Sequence, residues 1–495
     1  MTYADGARDA RRNTVALLVS RAAVSSLGWL GSILIARLLS PADWGRFSFI
    51  FGLLGLLSVV TDLGVGRVVL ARLVEADEKE APLVASAFIA LRLLLGLLGY
   101  LVALAYVWIL GYPATVVRGT AVAGLVVIVA TPGHALTVLF QSRLRLTVVA
   151  AAEAMGQSVQ LLGTVLAAVV APRLLIFVLP VLANEIVQIL WKLRGVRRGQ
   201  AGPLPSRQVK FALWRGMLID ALPLTLGTAL ATMLYKVDLL LLSRLDTFES
   251  VGLYAVGYKF ADLIGMVAAS IINPMLTVMV TAWPHRVDEF RSSVRHTCLL
   301  MGLIASVAVS SFWASAHPIL TLLYGPRFTE AASASQLVVA GASIAMLTNV
   351  GFAVLIASGR QRIYPFVGLV GLGLNVALNL ILIPRMSYTG SAVATLITEV
   401  TVCVVMWALV ARTVPVPGLL PIGRLAILVV ATVAIVLASQ ALHDRVPWPL
   451  LVAGTSMAVF ALGAALNLPG TRASVRTTLG WASNGPQTRR GERRS

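Results

Sequence analysis

The feature that most constrains this chain is a succession of apolar runs, each about as long as a bilayer is thick. A membrane helix needs about 20 mostly apolar residues. Of the 495 residues, 58% are hydrophobic and only 12% are charged, whereas soluble domains carry about 25% charged residues. We therefore predict an all-α polytopic membrane protein with fourteen transmembrane helices. The predicted spans are 14–36, 46–66, 83–109, 117–140, 147–171, 173–192, 216–242, 250–282, 297–323, 331–357, 363–384, 388–411, 421–441 and 447–467.

The basic residues predict how these helices are oriented. Arg and Lys concentrate in the cytoplasmic loops of membrane proteins. With both termini in the cytoplasm, the inner segments carry 28 basic residues and the outer loops carry eight, so the sequence predicts cytoplasmic N and C termini. The net charge of +19 reflects the same bias, and it indicates contact with anionic headgroups rather than with nucleic acid.

A basic stretch with two prolines divides the predicted helices into two halves. Residues 192–215 hold seven basic side chains together with Pro203 and Pro205, which is typical of a linker. We predict a cytoplasmic N-terminus, a six-helix bundle, a basic cytoplasmic linker, a second six-helix bundle, helices 13 and 14, and a basic disordered cytoplasmic tail. In that order the segments are 1–13, 14–192, 193–215, 216–411, 412–467 and 468–495.

The two halves share a short motif in the outer loop that joins their first two helices. Arg37 precedes Gly45 by eight residues, and Arg244 precedes Gly252 by the same spacing at an offset of 207. Because each half has an even number of helices, the motif indicates parallel repeats. Two similar bundles around a central path are a common transporter plan.

Four stretches carry a resemblance to a known family. They are 36–47 with 62–64, then 237–238 with 251–254, then 323–328, and finally Asn375, Asn379 and 382–384 with 390–395. In this order they resemble the Wzx-type polysaccharide flippases of the multidrug/oligosaccharidyl-lipid/polysaccharide exporter superfamily, which also includes the lipid II flippase. The resemblance covers roughly residues 14 to 412.

The resemblance implies a flippase, not an enzyme. It implies that a polyprenyl-diphosphate-linked oligosaccharide repeat unit moves from the inner to the outer leaflet by alternating access, for export of a cell-surface polysaccharide. A lipid II-type transporter or a drug exporter of the same superfamily is an alternative, and a non-transporting scaffold of a polysaccharide synthesis complex is another. A membrane glycosyltransferase or polymerase would need a large catalytic outer loop, and all predicted outer loops are short.

Four cations inside predicted spans are the candidate ligands of the substrate diphosphate. A charge at mid-membrane costs about 2.5–3.5 kcal/mol on insertion scales, so such residues face a cavity or a partner. Arg21, Arg92 and Lys259 are predicted to line a central cationic cavity, with Lys236 nearer the outer end of its helix. The lipid II flippase has cavity cations on its first and eighth helices, and Arg21 and Lys259 are in similar places. The alternatives are an ion pair of Arg21 with Glu153 or Glu185 on another helix, an ion pair of Lys259 with Asp262 on its own helical face, and a Lys236 side chain that extends outwards to the membrane surface.

Two acids inside predicted spans, Glu153 and Glu185, are the candidates for ion coupling. Intramembrane acids bind protons or sodium in coupled transporters. Asp62 and Asp238 are interpreted as structural helix-end residues. No cofactor and no metal site is predicted, because the two cysteines and five histidines lack metal-ligand spacing. Transport is expected to draw on a proton or sodium gradient or on the membrane potential.

The partners expected from this reading are the lipid-linked oligosaccharide and the surrounding membrane lipids. Glycosyltransferases and a polysaccharide polymerase are further expected partners. The predicted location is the bacterial inner membrane, in multi-pass form.

Overall fold

The chain is built from long α-helices joined by short connections in the computed structural model, which describes residues 24–77, 79–202 and 204–466. Two short 3-10 helices, Pro326–Ala331 and Gln361–Ile363, precede α11 and α12. The α-helices of the described residues are α1 Val24–Leu38, α2 Pro41–Asp62, α3 Val65–Glu75, α4 Ala81–Ile109, α5 Ala114–Ser142, α6 Leu146–Val170, α7 Leu174–Arg197, α8 Ala212–Leu245, α9 Phe248–Ala282, α10 Val287–Tyr324, α11 Ala332–Ala357, α12 Tyr364–Thr413, α13 Ile422–Leu442 and α14 Trp448–Ala465.

The predicted all-α polytopic fold is confirmed. Among the described residues, 10 helical segments are long and apolar enough to cross a membrane. Many large apolar side chains on these helices point away from the protein, including Trp108, Leu162, Val169 and Met457, which is the pattern expected where lipid is the solvent. The count of fourteen spans and the cytoplasmic placement of both termini stay predictions.

Two helix boundaries differ from the predicted spans in an informative way. The span predicted at 46–66 begins at Pro41 and breaks at Leu63 and Gly64, whose φ angles are 42° and 61°, before α3 continues the chain. The spans predicted at 363–384 and 388–411 form the single element α12, with a kink at Ser387 (φ 55°). In both places one or two residues with positive φ angles change the direction of the chain, and no separate loop is needed.

The helices next to the predicted linker also extend further than expected. The linker was predicted at 193–215, but α7 continues to Arg197 and α8 already begins at Ala212. The Lys and Arg residues of this stretch are good helix formers, and cations in the last turn of α7 interact favourably with the helix dipole. The division into two six-helix bundles stays a prediction.

The first of two compact units comprises the described residues up to Lys259, together with Leu320–Ala331 and Gly368–Ala394. One apolar core of this unit lies mainly among α3, α4, α5 and α8. Buried members of this core include Val69, Phe88 and Met217.

The second unit comprises Phe260–Ile319, Ala332–Val367 and the described residues from Thr395 onwards. One core of this unit is rich in methionine and includes Met279, Met346 and Met406. A smaller cluster around Leu428 packs α13 and α14 against α10.

The predicted N-terminal segment 1–13, the candidate ligand Arg21 and the predicted tail 468–495 lie outside the described residues.

Candidate functional site

A ladder of polar side chains connects α6 and α7 within the first unit. The Nδ2 of Asn184 donates to the Oε1 of Gln160 at 2.7 Å, and the Nε2 of Gln188 donates to the Oδ1 of Asn184 at 2.9 Å. The Nζ of Lys192 donates to the Oε1 of Gln188 at 3.2 Å. Since Asn184 lies ten residues into α7, or about 15 Å along its axis at 1.5 Å per residue, the ladder begins near the middle of α7 and runs toward its C-terminal end.

The local sequence explains why these side chains meet. Asn184, Gln188 and Lys192 are four residues apart, so they follow one face of α7. On α6, a methyl group added at Gly156 would overlap the side-chain oxygen of Asn184 and would lie 2.8 Å from the Cγ of Gln188. Glycine at this position lets the two helices approach closely enough to form the ladder.

An ion pair secures the break between α2 and α3. A guanidinium nitrogen of Arg92 donates to the carboxylate of Asp62 at 2.5 Å and to the carbonyl oxygen of Thr61 at 2.8 Å. The Arg92 side chain is 4% exposed and that of Asp62 is 56% exposed. Arg92 therefore caps the last turn of α2, where carbonyl groups lack helical partners.

The position of Arg92 is nearer one end of the membrane helices than its sequence suggests. The 22 residues of α2 span about 33 Å, which already crosses a hydrocarbon core of about 30 Å. Asp62 ends this helix, so Arg92 beside it lies level with the C-terminal end of α2 rather than with its middle. His134 on α5 interacts electrostatically with Arg92, Asp62 and Lys192, and its side chain is exposed.

The structure brings the two candidate coupling acids together. Glu153 on α6 and Glu185 on α7 interact electrostatically with each other and with Lys192. Lys192 is 2% exposed; it stands at the end of the sixth predicted span but was not included among the candidate site residues. The repeated polar spacing of Asn184, Gln188 and Lys192 was the sequence signal that could have identified it as part of a polar face of α7.

The remaining candidate ligands are on other helices of the first unit. Lys259, which ends the first segment of that unit, lies on α9 with its Nζ 6.0 Å from the ring centroid of Trp44. Lys236 is on α8 and is half-buried. Arg92 retains a buried Nε without a hydrogen-bond partner.

A second buried polar centre surrounds Asp238. The hydroxyls of Tyr254 and Tyr258 donate to one carboxylate oxygen at 2.7 and 2.8 Å, and the Nδ2 of Asn379 donates to the other at 3.2 Å. The hydroxyl of Ser391 donates to the Oδ1 of Asn379 at 2.7 Å. Asp238 is 1% exposed and lies two turns before the end of α8, so it joins α8, α9 and α12 instead of marking a helix end.

The ladder makes a testable contribution to stability. Replacing Asn184 by Leu removes two hydrogen bonds between side chains, so we expect the free energy of unfolding to fall by about 1–2 kcal/mol, in the range measured for such bonds in membrane proteins. Thermal unfolding in detergent measures the change. The control is Ser158→Ala, because the exposed Ser158 bonds only within α6, to the carbonyl of Ala154. Equal unfolding temperatures for Asn184→Leu and Ser158→Ala would contradict the expectation.

Comparison with solved structures identifies the fold. "Lipid II flippase MurJ, inward closed conformation" superposes with a TM-score of 0.73 at 14% identity, over 94% of this chain and 99% of that chain. The inward-facing conformation of a multidrug resistance MATE family transporter superposes with a TM-score of 0.65 at 14% identity, over 78% of this chain and 93% of that chain. At these identities the likeness defines the fold.

Sequence comparison adds one curated relative. The uncharacterized membrane protein MJ1068 of Methanocaldococcus jannaschii is 31% identical over 77 residues, which cover 16% of this chain and 15% of that protein.

Family models give the widest sequence match. A model described as MatE matches residues 223–381. A model described as "Polysaccharide biosynthesis protein" matches residues 10–280, more than half of the chain. The chain therefore belongs to the family of polysaccharide biosynthesis membrane proteins, and its helices have the fold shared by MurJ and the MATE transporters.

Proposed function

We propose that this protein is a flippase that moves a polyprenyl-diphosphate-linked oligosaccharide repeat unit from the inner to the outer leaflet by alternating access. The observation that carries the proposal is the family match over residues 10–280, since polysaccharide biosynthesis requires sugar units to cross the membrane and this chain is built almost wholly of membrane helices. The product would serve export of a cell-surface polysaccharide.

The charge of the buried groups supports an anionic substrate. A diphosphate needs cations where water is scarce, and arginine can hold it with two parallel donors. Arg92 has a buried Nε available, Lys259 stands over Trp44, and both belong to the first unit. We propose these two residues with Arg21 and, to a smaller degree, Lys236 as ligands of the diphosphate.

The test is a flipping assay in proteoliposomes with a fluorescent polyprenyl-diphosphate saccharide, in which a membrane-impermeant quencher reports the exposed leaflet. We expect Arg21→Ala and Lys259→Ala each to slow flipping about tenfold, because one hydrogen bond to a charged group contributes about 1.5–3 kcal/mol. Lys236→Ala should have a smaller effect. The matched control is Lys210→Ala, an exposed cation of the linker. Normal rates in both Arg21→Ala and Lys259→Ala would refute the cationic site.

The same vesicles separate the alternatives. A drug exporter would move a small cationic dye such as ethidium and leave the lipid saccharide in place. A lipid II-type transporter would prefer the peptidoglycan precursor over other saccharides. A scaffold would bind its glycosyltransferase or polymerase partners without flipping either lipid.

Glu153 and Glu185 are the proposed coupling residues, because both interact with the buried Lys192. Proton, sodium and potassium-diffusion gradients imposed one at a time identify the driving force. If coupling passes through these acids, Glu153→Gln or Glu185→Gln removes the response to the effective gradient while flipping down the substrate gradient continues. We propose the bacterial inner membrane as the location.

A further inference from the structure

Two arginines at equivalent positions of the sequence repeat make reciprocal contacts. A guanidinium nitrogen of Arg37 donates to the carbonyl oxygen of Leu322 at 2.7 Å. A guanidinium nitrogen of Arg244 donates to the carbonyl oxygen of Leu110 at 2.8 Å. Leu110 directly follows α4, the third predicted span of the first half, and Leu322 lies in the last turn of α10, the third predicted span of the second half. Each arginine thus caps the equivalent helix of the opposite half.

Helix ends explain why an arginine suits these positions. The last carbonyl groups of a helix have no intrahelical partner, and they carry the negative end of the helix dipole. A guanidinium group supplies donors and a compensating positive charge at once. Both capped ends belong to the outer side by the predicted orientation, and all four residues belong to the first compact unit.

The same end of the molecule contains a backbone crossing at the other repeated position. A methyl group added at Gly45 would overlap the carbonyl oxygen of Phe248 and lie 2.8 Å from the backbone nitrogen of Gly252. One added at Gly252 would overlap the carbonyl oxygen of Pro41 and lie 3.1 Å from the nitrogen of Gly45. The first turns of α2 and α9 therefore touch through their backbones, and a glycine from each repeat makes this possible.

Aromatic rings fill the space beside the crossing. The ring centroid of Phe49 lies 4.9 Å from that of Tyr112 and 5.7 Å from that of Phe248. The guanidinium of Arg244 stands 5.2 Å from the Tyr112 centroid, and the Tyr112 and Ser243 hydroxyls are 2.9 Å apart. Burial raises the pKa of Tyr112 above its ordinary value, so this hydroxyl stays protonated in neutral water.

We propose that Arg37 and Arg244, with Gly45 and Gly252, form an outer clasp that holds the outer end of the transport path closed. Arg37 and Arg244 are positioning residues, since they hold helix ends of the opposite half and need no contact with substrate. Release to the outer side requires both caps to break. The inference rests on the proposed alternating access, because a clasp between halves has a role only if they part.

Labelling of a buried position measures the closed state directly. Ser48 lies one turn after Gly45 on α2, and its hydroxyl is buried. In a chain carrying Cys298→Ser and Cys403→Ser, a Ser48→Cys reporter reacts with a membrane-impermeant maleimide from the outside only when this region opens. We expect Arg37→Gln and Arg244→Gln each to raise the labelling rate about fivefold, the typical effect of one hydrogen bond, and the double variant to raise it about 25-fold if the two act independently.

Matched variants make the result specific. Arg118 is also an exposed arginine of the predicted outer side, but it bonds to the carbonyl of Ala114 within its own helix, so Arg118→Gln should leave the rate unchanged. Arg37→Lys and Arg244→Lys keep a donor and a charge, so they should give intermediate rates. These two variants also carry the test if the glutamine variants do not fold.

The assay contains no substrate, so it separates this inference from the proposed function. Faster labelling in a protein that flips no lipid would support the clasp and count against the proposed flippase. Parental labelling in the double variant, or equal acceleration by Arg118→Gln, would overturn the clasp whatever the flipping result.

Discussion

Gly45→Val is expected to leave little folded protein, and Gly45→Ala to lower the free energy of unfolding by about 2 kcal/mol, within the range for overpacked interiors. The added carbon would overlap the carbonyl oxygen of Phe248. This atom belongs to backbone, which cannot rotate aside as a side chain can. The first turns of α2 and α9 must therefore separate. Thermal unfolding in detergent and the yield of monodisperse protein measure both effects.

The matched control for this prediction is Gly55→Ala on the same helix. A methyl group added at Gly55 meets no atom within 4 Å, and Ala favours a helix over Gly by about 0.5–1 kcal/mol. Gly55→Ala should therefore be neutral or stabilising. Gly252→Ala should resemble Gly45→Ala, and the double variant should cost less than the sum, because both open one crossing. A stabilised Gly45→Ala protein would contradict the close approach seen in the structure.

Asp238→Ala is expected to lower the free energy of unfolding by about 3 kcal/mol or more. The substitution removes the carboxylate that accepts from the hydroxyls of Tyr254 and Tyr258, and each hydrogen bond to a charged group contributes about 1.5–3 kcal/mol. Asp238→Asn keeps the shape and one acceptor oxygen but loses the charge, so it should fall between the parent and Asp238→Ala. Thermal unfolding measures the order of the three proteins.

Asp77→Asn is the control for the acidic centre. Asp77 is exposed between α3 and α4, so its loss should leave the unfolding temperature unchanged. If Asp238→Ala unfolds at the temperature of the Asp77→Asn variant, the Asp238 centre does not hold α8, α9 and α12 together.

Most helices were predictable because the bilayer sets their length. The spans predicted at 83–109 and 331–357 are Ala81–Ile109 and Ala332–Ala357 in the structure. Helix α3 was missed because it has one apolar face, with Val65, Val69 and Leu73 buried, and a hydropathy average over both faces hides such a pattern.

The site was predictable only in part, because its residues acquire their roles from partners distant in sequence. Charged residues are rare inside membrane spans because placing them in hydrocarbon is costly. Their presence in apolar stretches identified Arg92, Lys259, Glu153 and Glu185 as candidates. That cost does not reveal the partner, so the pairing of Arg92 with Asp62, 30 residues earlier, required the structure. The repeat of Arg37 and Gly45 at Arg244 and Gly252 was visible in the sequence, but their reciprocal contacts were not, since sequence spacing does not define packing between distant helices.

The ladder between α6 and α7 bears on how the protein enters the membrane during synthesis. An unsatisfied amide in hydrocarbon costs several kcal/mol, and both Asn184 and Gln160 would be in that state if their helices left the translocon one at a time. Only residues 171–173 separate the two helices. Helices α6 and α7 are therefore expected to partition into lipid together, as a hairpin whose amides are already paired. Insertion of the first half of the chain would then require α6 and α7 to enter the membrane as a pair.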